Sequence, residues 1–454
     1  MRSRDARRSG AALVLAALFC LVMIPMVGLA IDGATTYMVR EAISTAADAA
    51  ALAGARSLSI GQTPAAQTAN ATAAALAVFN ADVSAIPTPV SNASATIGVA
   101  SNNGAHFRTV TVTATGSVPV MFLKILGVGP TPISITVVAQ RRDLNMMLVL
   151  DHSGSMSQVM ATVQTDATTF VNQFASGRDN VGLVAFTGTA YLAYPPSTAF
   201  LTDSPNVPKL IGNLTSTNGA TNSAQGLWLA WQQLKTLNQV GAYNVIVLFT
   251  DGLANTFTAN FQGLVNAAAG CRKLVNPVAG VLLADINETS AMGLSDPTAT
   301  SLNDATETRA APNAGGCTNL APSWSIASYL TGLPSQDTNG NSTNGTGSIA
   351  AYAPVNLNQV TGVSVTNASL NAFDDAANRI RSDTTLTPAI YTIGLGNNPG
   401  LPPDQVLLAR AANDPGSASY NHSQVAGLSV FAPTVAQLHG AFQQVASQIL
   451  RLSR

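Results

Sequence analysis

The feature that most limits the fold of this chain is a repeated alternation of apolar runs and helical patterns after residue 143. The apolar runs are MMLVL (146–150), NVGLVAF (180–186), NVIVLF (244–249) and PAIYTIGLG (388–396). Runs that stay apolar at consecutive positions are typical of strands buried on both faces. Helical patterns stand at 161–175, 221–235, 373–382, 404–412 and 435–452. The alternation predicts an α/β fold with a doubly wound, mostly parallel sheet over residues 143–454, and TAYLAYP (189–195) as an edge strand.

The alternation is interrupted between about residues 253 and 370. The stretch SQDTNGNSTNGTGS (335–348) in this region consists almost entirely of turn-forming residues. We interpret residues 253–370 as a loop-rich insertion after the third buried strand, with little core of its own. The insertion holds Cys271 and Cys317, which could form a disulfide in an oxidising compartment or remain as two thiols.

The N-terminal region carries an independent signal for a membrane. Residues 11–31 contain no charged side chain, and a helix of this length can cross a bilayer. Residues 1–10 contain four arginines, so the positive-inside bias places them in the cytoplasm. We expect an uncleaved, single-pass inner-membrane helix, with the bulk of the chain in the periplasm or at the cell exterior. The alternative is a cleavable signal peptide, because Gly28 and Ala30 supply the small residues that cleavage requires.

Residues 32–140 are predicted to form a small α+β module. The Ala-rich stretch 35–57 has no proline and no glycine before Gly54, so the membrane helix is expected to continue outward through it. Alternating β-branched and small residues at 108–122 and 133–140 predict paired strands. We expect the long helix to pack on this short antiparallel sheet, as in pilins, which is a likeness of fold alone.

Polar side chains follow two of the buried strands where those strands end. Asp151, Ser153 and Ser155 follow the first, Asp251 follows the third, and Thr221 lies on a glycine-flanked loop before a helix. Because ligands of open α/β sheets bind at the carboxyl ends of strands, we expect these side chains to meet. Two carboxylates and three hydroxyls, with no nitrogen or sulfur, suit a hard divalent cation, with Mg²⁺ preferred and Ca²⁺ or Mn²⁺ as alternatives.

Histidines and cysteines are not expected among the ligands. In an extended loop every second side chain points the same way, so His152 faces away from Asp151 and Ser153. Imidazole suits softer metals, and we interpret His152 as a packed or solvent-facing residue. The four histidines and three cysteines of the chain lack the close spacing that zinc sites require.

The segment DHSGS (151–155), with Thr221 and Asp251, resembles the metal-ion-dependent adhesion site of von Willebrand factor type A domains, in which DxSxS precedes a distant Thr and a distant Asp. The flanks LVLDHSGSM, GATNSAQGL and VLFTDG are also similar to that family. The resemblance implies that these residues hold the ion directly or through water, and that an open position accepts a carboxylate from a protein partner. With only two protein carboxylates, the cation stays under-neutralised and attracts an external anion. A structural ion with no partner is the alternative.

The N-terminal segment resembles a second family. The apolar run with LAIDGATTYMVREAISTAADAAALAGAR (29–56), and the C-terminal FQQVASQILRLSR, are similar to TadG-like proteins of the bacterial tight-adherence (Flp) pilus system, which join such a helix to a von Willebrand A domain. Leu15 stands where related pseudopilins have a glutamate after the candidate processing point at Gly10. We therefore do not expect prepilin-type cleavage.

Together these features predict a membrane-anchored, exported, metal-dependent protein-binding factor for assembly or adhesion in an Flp pilus system, with a pilus-system or surface protein as its partner. The first alternative is a structural, pilin-like component that packs through its N-terminal helix and carries an incidental ion site. A hydrolase is the second alternative. Ser153 as its nucleophile fails the G-x-S-x-G elbow, because Asp151 stands where the first glycine should be, and metal-assisted hydrolysis lacks a separate general base in the motif loops, so we expect no enzyme. The net charge of −1 offers no basic surface for nucleic acid.

Overall fold

The chain, described here from a computed structural model, divides into two compact units, residues 1–141 and 142–453. The structure describes residues 2–61, 63–87, 90–217, 220–261, 278–285, 288, 290–295, 297, 330–345, 352–398 and 400–453. Cys271 and Cys317, for which a disulfide is a sequence prediction, lie outside these ranges.

The first unit packs helices on a small sheet. Its elements are α1 (Arg2–Ser57), α2 (Pro64–Ser84), β1 (Ser91–Asn102), β2 (Phe107–Val118) and β3 (Thr131–Arg142). Strands β1 and β2 are antiparallel, and β3 pairs with the other side of β2. Alternate residues of β2, namely Val110, Val112, Ala114 and Val118, are apolar and buried, so this face of the strand packs beneath the helices.

The alanines of α1 bring the helix close to its neighbours. Buried on this face are Ala46, Ala47, Ala50, Ala51 and Ala55. Gly54 marks the closest approach, because a Cβ atom there would lie 2.9 Å from Val110 Cγ1 and 3.3 Å from Ala75 Cβ. The small side chains of this stretch therefore pack against α2 and β2 of the same chain.

The N-terminal half of α1 has the opposite character. Its apolar side chains from Val14 to Ile31 are exposed, while Gly28 is buried, and Pro25 lies inside the helix without ending it. Among the described residues, α1 is the one helix long and apolar enough to cross a membrane, judged by length and composition.

The second unit alternates strands and helices. In chain order, its strands and helices are β4 (Leu144–Asp151), α3 (Met160–Val171), β5 (Asn180–Phe186), β6 (Ala190–Ser197), α4 (Val207–Gly212), α5 (Ser223–Leu237), β7 (Tyr243–Thr250), β8 (Thr256–Phe261), β9 (Val278–Ala284), β10 (Ala291–Ser295), α6 (Gly362–Arg381), β11 (Ala389–Leu395), α7 (Gln405–Ala411), β12 (Leu428–Ala432) and α8 (Val435–Leu452). The four apolar runs of the sequence correspond to β4, β5, β7 and β11, and each of these strands is buried along its whole length.

Six strands form the main sheet in the order β12-β11-β7-β4-β5-β6. Neighbours are parallel from β12 to β5, whereas β6 is antiparallel to β5 at the edge, so the prediction of an edge strand at 189–195 is confirmed. Strand β4 lies in the middle, between β7 and β5, with Leu150 opposite Phe249 and Asp151 opposite Phe186. This register brings the carboxyl ends of three strands together.

Helices cover both faces of this sheet. On one face, alternate residues of β4 such as Met146 and Leu148 pack against α3 and α8. On the other, Met147 and Val149 pack against α5, α6 and α7. Burial on both faces explains why β4 is apolar at consecutive positions up to Asp151.

The stretch 253–370 differs from the loop-rich insertion expected from the sequence. Strands β8, β9 and β10 form a second, antiparallel sheet, and α6 begins before residue 370. This sheet has a core of its own, built from Phe257, Phe261, Leu282 and Leu294 with Leu330, Leu333, Val365 and Ala368. The expectation of little core was therefore wrong for the described part of this stretch, because alternating residues of β8 bury one face against β9 and α6.

Candidate metal centre

The candidate site lies at the carboxyl edge of the main sheet. Asp151 is the last residue of β4, and Asp251 directly follows β7, its parallel neighbour. Thr221 stands two residues before the first residue of α5. Three separate loops thus deliver the five predicted residues to one end of the sheet, the end at which such folds bind ligands.

Hydrogen bonds connect the DHSGS loop to Asp251. The Ser153 backbone N–H donates to Asp151 Oδ1 at 2.8 Å, which turns the loop back over the strand end. The Ser153 and Ser155 hydroxyl oxygens are 3.2 Å apart, and Ser155 Oγ donates to Asp251 Oδ1 at 2.5 Å. The structure therefore brings Asp151, Ser153, Ser155 and Asp251 into one connected cluster.

Thr221 reaches the same cluster beside Gly252. A Cβ atom on Gly252 would lie 3.1 Å from Thr221 Oγ1 and 3.9 Å from Ser155 Oγ. A side chain at this position would crowd the Thr221 hydroxyl, so glycine lets the loops that carry Thr221 and Asp251 lie close together. All five predicted site residues are therefore neighbours in the folded chain.

Polar residues outside the predicted set hold these loops in place. Thr250 Oγ1 donates to Asp151 Oδ2 at 2.6 Å, so both oxygens of that carboxylate are engaged. Asn255 Oδ1 accepts the Thr221 backbone N–H at 2.9 Å, and Asn222 caps α5 by accepting the Gln225 N–H. Thr250 and Asn222 lie within the flanks VLFTDG and GATNSAQGL, where no role was predicted for either residue, and Asn255 was missed. The sequence could have indicated Asn255 through its position four residues after Asp251, on the same loop before β8.

Burial makes the two carboxylates unfavourable neighbours. Asp151 is fully buried, and loss of hydration raises the pKa of its carboxyl group. Burial, followed by the nearby charge of Asp151, raises the pKa of Asp251 to about 7. Two carboxylates held together in this way attract a cation that can neutralise both.

The oxygen atoms of the cluster fit a hard cation. Asp251 Oδ2 is buried and has no hydrogen-bond partner among the described residues, so it is a lone-pair donor left available. Oxygens of carboxylates and hydroxyls are the ligands that Mg²⁺, Ca²⁺ and Mn²⁺ prefer. Within the described ranges, no group of three or more His, Cys, Asp or Glu side chains is arranged to hold a metal, and the candidate site itself combines two carboxylates with three hydroxyls.

His152 is a packed residue in this structure. It is buried, its Nδ1 lies 3.0 Å from the Thr215 carbonyl oxygen, and its ring meets Tyr191 edge to face at 5.9 Å. Burial lowers the pKa of His152, so the imidazole is neutral near pH 7. It therefore adds no positive charge that would offset the two carboxylates.

Two family models match parts of this chain. Residues 146–254, which include all five site residues, match the von Willebrand factor type A domain, so the second unit contains a domain of this class. Residues 10–57 match the Flp pilus-assembly TadE/G-like family. The chain thus joins a TadE/G-like segment to a von Willebrand A domain, and both resemblances predicted from the sequence are confirmed.

Solved structures of pilus proteins share low similarity with the chain. The PilB minor pilin from Streptococcus sanguinis is 15% identical, with 80% of this chain and 79% of that chain covered and a TM-score of 0.37. The von Willebrand domain of the type V pilus tip protein Mfa5 from Porphyromonas gingivalis is 16% identical, with 69% and 97% covered and a TM-score of 0.37. The pilus adhesin SpaC from Lactobacillus rhamnosus GG is 11% identical, with 80% of this chain but 35% of SpaC covered and a TM-score of 0.38. No curated protein matches the chain.

In the presence of a chelator, the free energy of unfolding is expected to fall as the pH rises from about 4 to about 7. The pKa of Asp251 is raised from 3.8 to about 7, so between these values the folded protein holds a proton that the unfolded chain has released. Raising the pH then favours the unfolded state, and the buried Asp151 acts in the same direction. A bound divalent cation stabilises the ionised carboxylates and should remove this loss.

The measurement is urea unfolding at about pH 5 and about pH 7.5, with and without Mg²⁺. Stabilisation by Mg²⁺ should be larger at the higher pH. An equal effect of Mg²⁺ at both pH values would contradict this linkage between the carboxylates and the ion.

Proposed function

We propose that this chain is a membrane-anchored component of a pilus system that binds a protein partner through a divalent cation. Asp151, Ser153, Ser155, Thr221 and Asp251 would hold the ion, at the carboxyl edge of what we interpret as a doubly wound sheet. The observation that carries the proposal is the pair of buried carboxylates, linked by hydrogen bonds through Ser153 and Ser155, with Asp251 Oδ2 left without a hydrogen-bond partner among the described residues.

The composition of the site favours a carboxylate as the group that the partner contributes. Of the two protein carboxylates, Asp151 already accepts hydrogen bonds from Thr250 and Ser153 on its two oxygens, so part of its negative charge is offset by these donors. The remaining ligands are neutral hydroxyls, which leave the ion able to attract an external anion. An Asp or Glu side chain on a protein partner supplies such an oxygen.

The anchor is supported by the continuity of α1. The exposed apolar run leads without a break into the Ala-rich part that forms the core of the first unit. With arginines in residues 1–10, we propose that α1 crosses the inner membrane and leaves both units on the periplasmic side or beyond. Cleavage at the end of the apolar run would remove Gly28, which packs within the first unit.

The alternative of a structural, pilin-like role receives less support from the same helix. In a filament, the small residues of α1 would have to contact other copies. The buried alanines between Ala46 and Ala55 already contact α2 and β2 of their own chain. The TadE/G-like match and the pilus-protein neighbours say nothing about catalysis, and no described feature of the site favours it.

The test is affinity capture by the full chain in detergent, using an envelope extract of the source bacterium. A specific protein should be retained with Mg²⁺ and lost with chelator. The substitution Ser155→Ala should reduce retention by at least about tenfold, because a loss of metal affinity of about 10- to 100-fold accompanies damage to a metal site.

Ser157→Ala is the matched control. Ser157 is exposed on the same short segment, two residues beyond Ser155. Capture should survive in this variant. Undiminished capture in chelator, or equal capture by the two alanine variants, would refute the proposed function.

A further inference from the structure

The loop between β2 and β3, residues 119–130, presents a cluster of apolar side chains that its own unit leaves uncovered. Met121 is 74% exposed, Ile125 83% and Val128 44%. Ile125 lies in a short 3₁₀ turn, Leu123–Leu126, and Met121 stands two residues before that turn. Contiguous exposed apolar side chains of this size mark a contact surface, whereas single ones are common on any protein.

This apolar loop is fixed to helix α1 by a buried carboxylate. Asp32 Oδ1 accepts the backbone N–H of Met121 at 3.0 Å, and Asp32 Oδ2 accepts those of Phe122 at 3.0 Å and Leu123 at 2.7 Å. Hydrogen bonds to an ionised group are stronger than neutral ones. The loop therefore has a defined position along α1.

That position is the last turn of the apolar run. Phe122 packs on Gly28, where a Cβ atom would lie 2.6 Å from Phe122 Cβ. Gly28 lies one helical turn before Asp32, about 6 Å along the helix axis towards the N-terminus. Phe122 thus reaches the level of the uncharged residues 11–31, and Gly28 is the residue whose lack of a side chain allows this contact.

Charged and aromatic side chains surround the same level. Lys124 is exposed on the loop, and Tyr37 and Arg40 are exposed on α1 beyond Asp32. Tyrosine is enriched where a membrane meets water, and lysine and arginine extend their charged ends towards headgroups while their carbon chains stay in apolar surroundings. This pattern is typical of a bilayer boundary near residues 32–40.

We propose that the β2–β3 loop is a second membrane contact, in which Met121, Ile125 and Val128 enter the bilayer beside α1 and Lys124 lies among the headgroups. The occupant is lipid because the loop surface continues the exposed apolar surface of α1, to which Asp32 and Gly28 attach it. The inference rests on the proposed membrane anchoring of α1. With this second contact, the first unit would be held at the membrane surface by both α1 and the β2–β3 loop, not by α1 alone.

The test places a fluorescent amino acid at one position at a time in the full chain, reconstituted in liposomes of phosphatidylcholine and phosphatidylglycerol. The positions are those of Phe19 in the apolar run, Ile125 on the loop and Asn103, all exposed. Asn103 lies beyond the other end of β2, a strand of 12 residues that spans roughly 36 Å. Brominated lipid should quench the probes at 19 and 125, and aqueous iodide should quench the probe at 103.

The three probes separate the two claims. Lipid quenching at 19 without any at 125 would overturn the loop contact and leave the anchor intact. No lipid quenching at 19 would overturn the anchor and the loop contact together. If aqueous iodide quenches the probe at 125, and this quenching disappears only when other envelope proteins are added, the loop contacts a protein. That result would also overturn the proposal.

Discussion

The substitution Asp251→Asn is expected to stabilise the metal-free protein and to abolish its stabilisation by Mg²⁺. Without a cation, the buried Asp251 carboxylate is destabilised beside Asp151, and its pKa rises to about 7. Asparagine removes this charge with little change in shape. At about pH 8 the gain in unfolding free energy should be roughly 1–3 kcal/mol, because loss of the charged hydrogen bond from Ser155 offsets part of the relief.

With Mg²⁺ present, the order of stability should reverse. A free ion concentration 1,000 times the dissociation constant stabilises the wild-type protein by about 4.1 kcal/mol, which exceeds the gain of the metal-free variant, and the variant gains nothing comparable from the ion. Tryptophan fluorescence during urea unfolding reports on the second unit, since Trp228, Trp231 and Trp324 all lie in residues 142–453. The exposed Asp82→Asn is the control and should change neither curve. A variant that is less stable than wild type in chelator would contradict the electrostatic account of the site.

The substitution Phe442→Ala is expected to lower the free energy of unfolding by about 3–5 kcal/mol. The ring lies fully inside the core under the main sheet, 5.4 Å from the ring of Phe170 and 5.7 Å from that of Phe249. Because it joins α8 to α3 and β7, its removal leaves a cavity that rigid strands cannot fill. Urea unfolding followed by tryptophan fluorescence measures the loss.

The matched control is Gln444→Ala, an exposed position on the same helix. Its unfolding free energy should change by less than about 0.5 kcal/mol. Folded Phe442→Ala protein should still bind Mg²⁺ with wild-type affinity, because the ring packs against Phe170 and Phe249 in an apolar cluster that includes none of the five site residues. A variant that loses the ion while it is still folded would show that the core and the site are coupled.

The main sheet was predictable because burial on both faces leaves a direct trace in the sequence. MMLVL and NVIVLF are apolar at consecutive positions, and both are wholly buried in β4 and β7. The second sheet left a weaker trace. In β8, TFTANF alternates Phe257, Ala259 and Phe261 with polar residues, but a run this short does not identify its partner β9, so only the tertiary pairing reveals the sheet.

The residues of the candidate site were easier to find than their surroundings. The spacing of Asp151, Ser153 and Ser155, with Asp251 after another strand, can be recognised from the sequence alone. The bond from Thr250 to Asp151 depends on the register that places Leu150 opposite Phe249. The role of Asp32 was equally hidden, because an aspartate after an apolar run gives no indication that a loop 90 residues further along the chain will supply the hydrogen bonds.

Mn²⁺ titration of the full chain, followed by electron paramagnetic resonance, tests the central claim most directly, since the spectrum separates free from bound ion. We expect one Mn²⁺ per chain, competition by Mg²⁺, loss of binding in Asp151→Asn and Asp251→Asn, and normal binding in Asp82→Asn. Binding that persists in both site variants, or no binding by the wild-type protein, would contradict a cation centre at the carboxyl ends of β4 and β7.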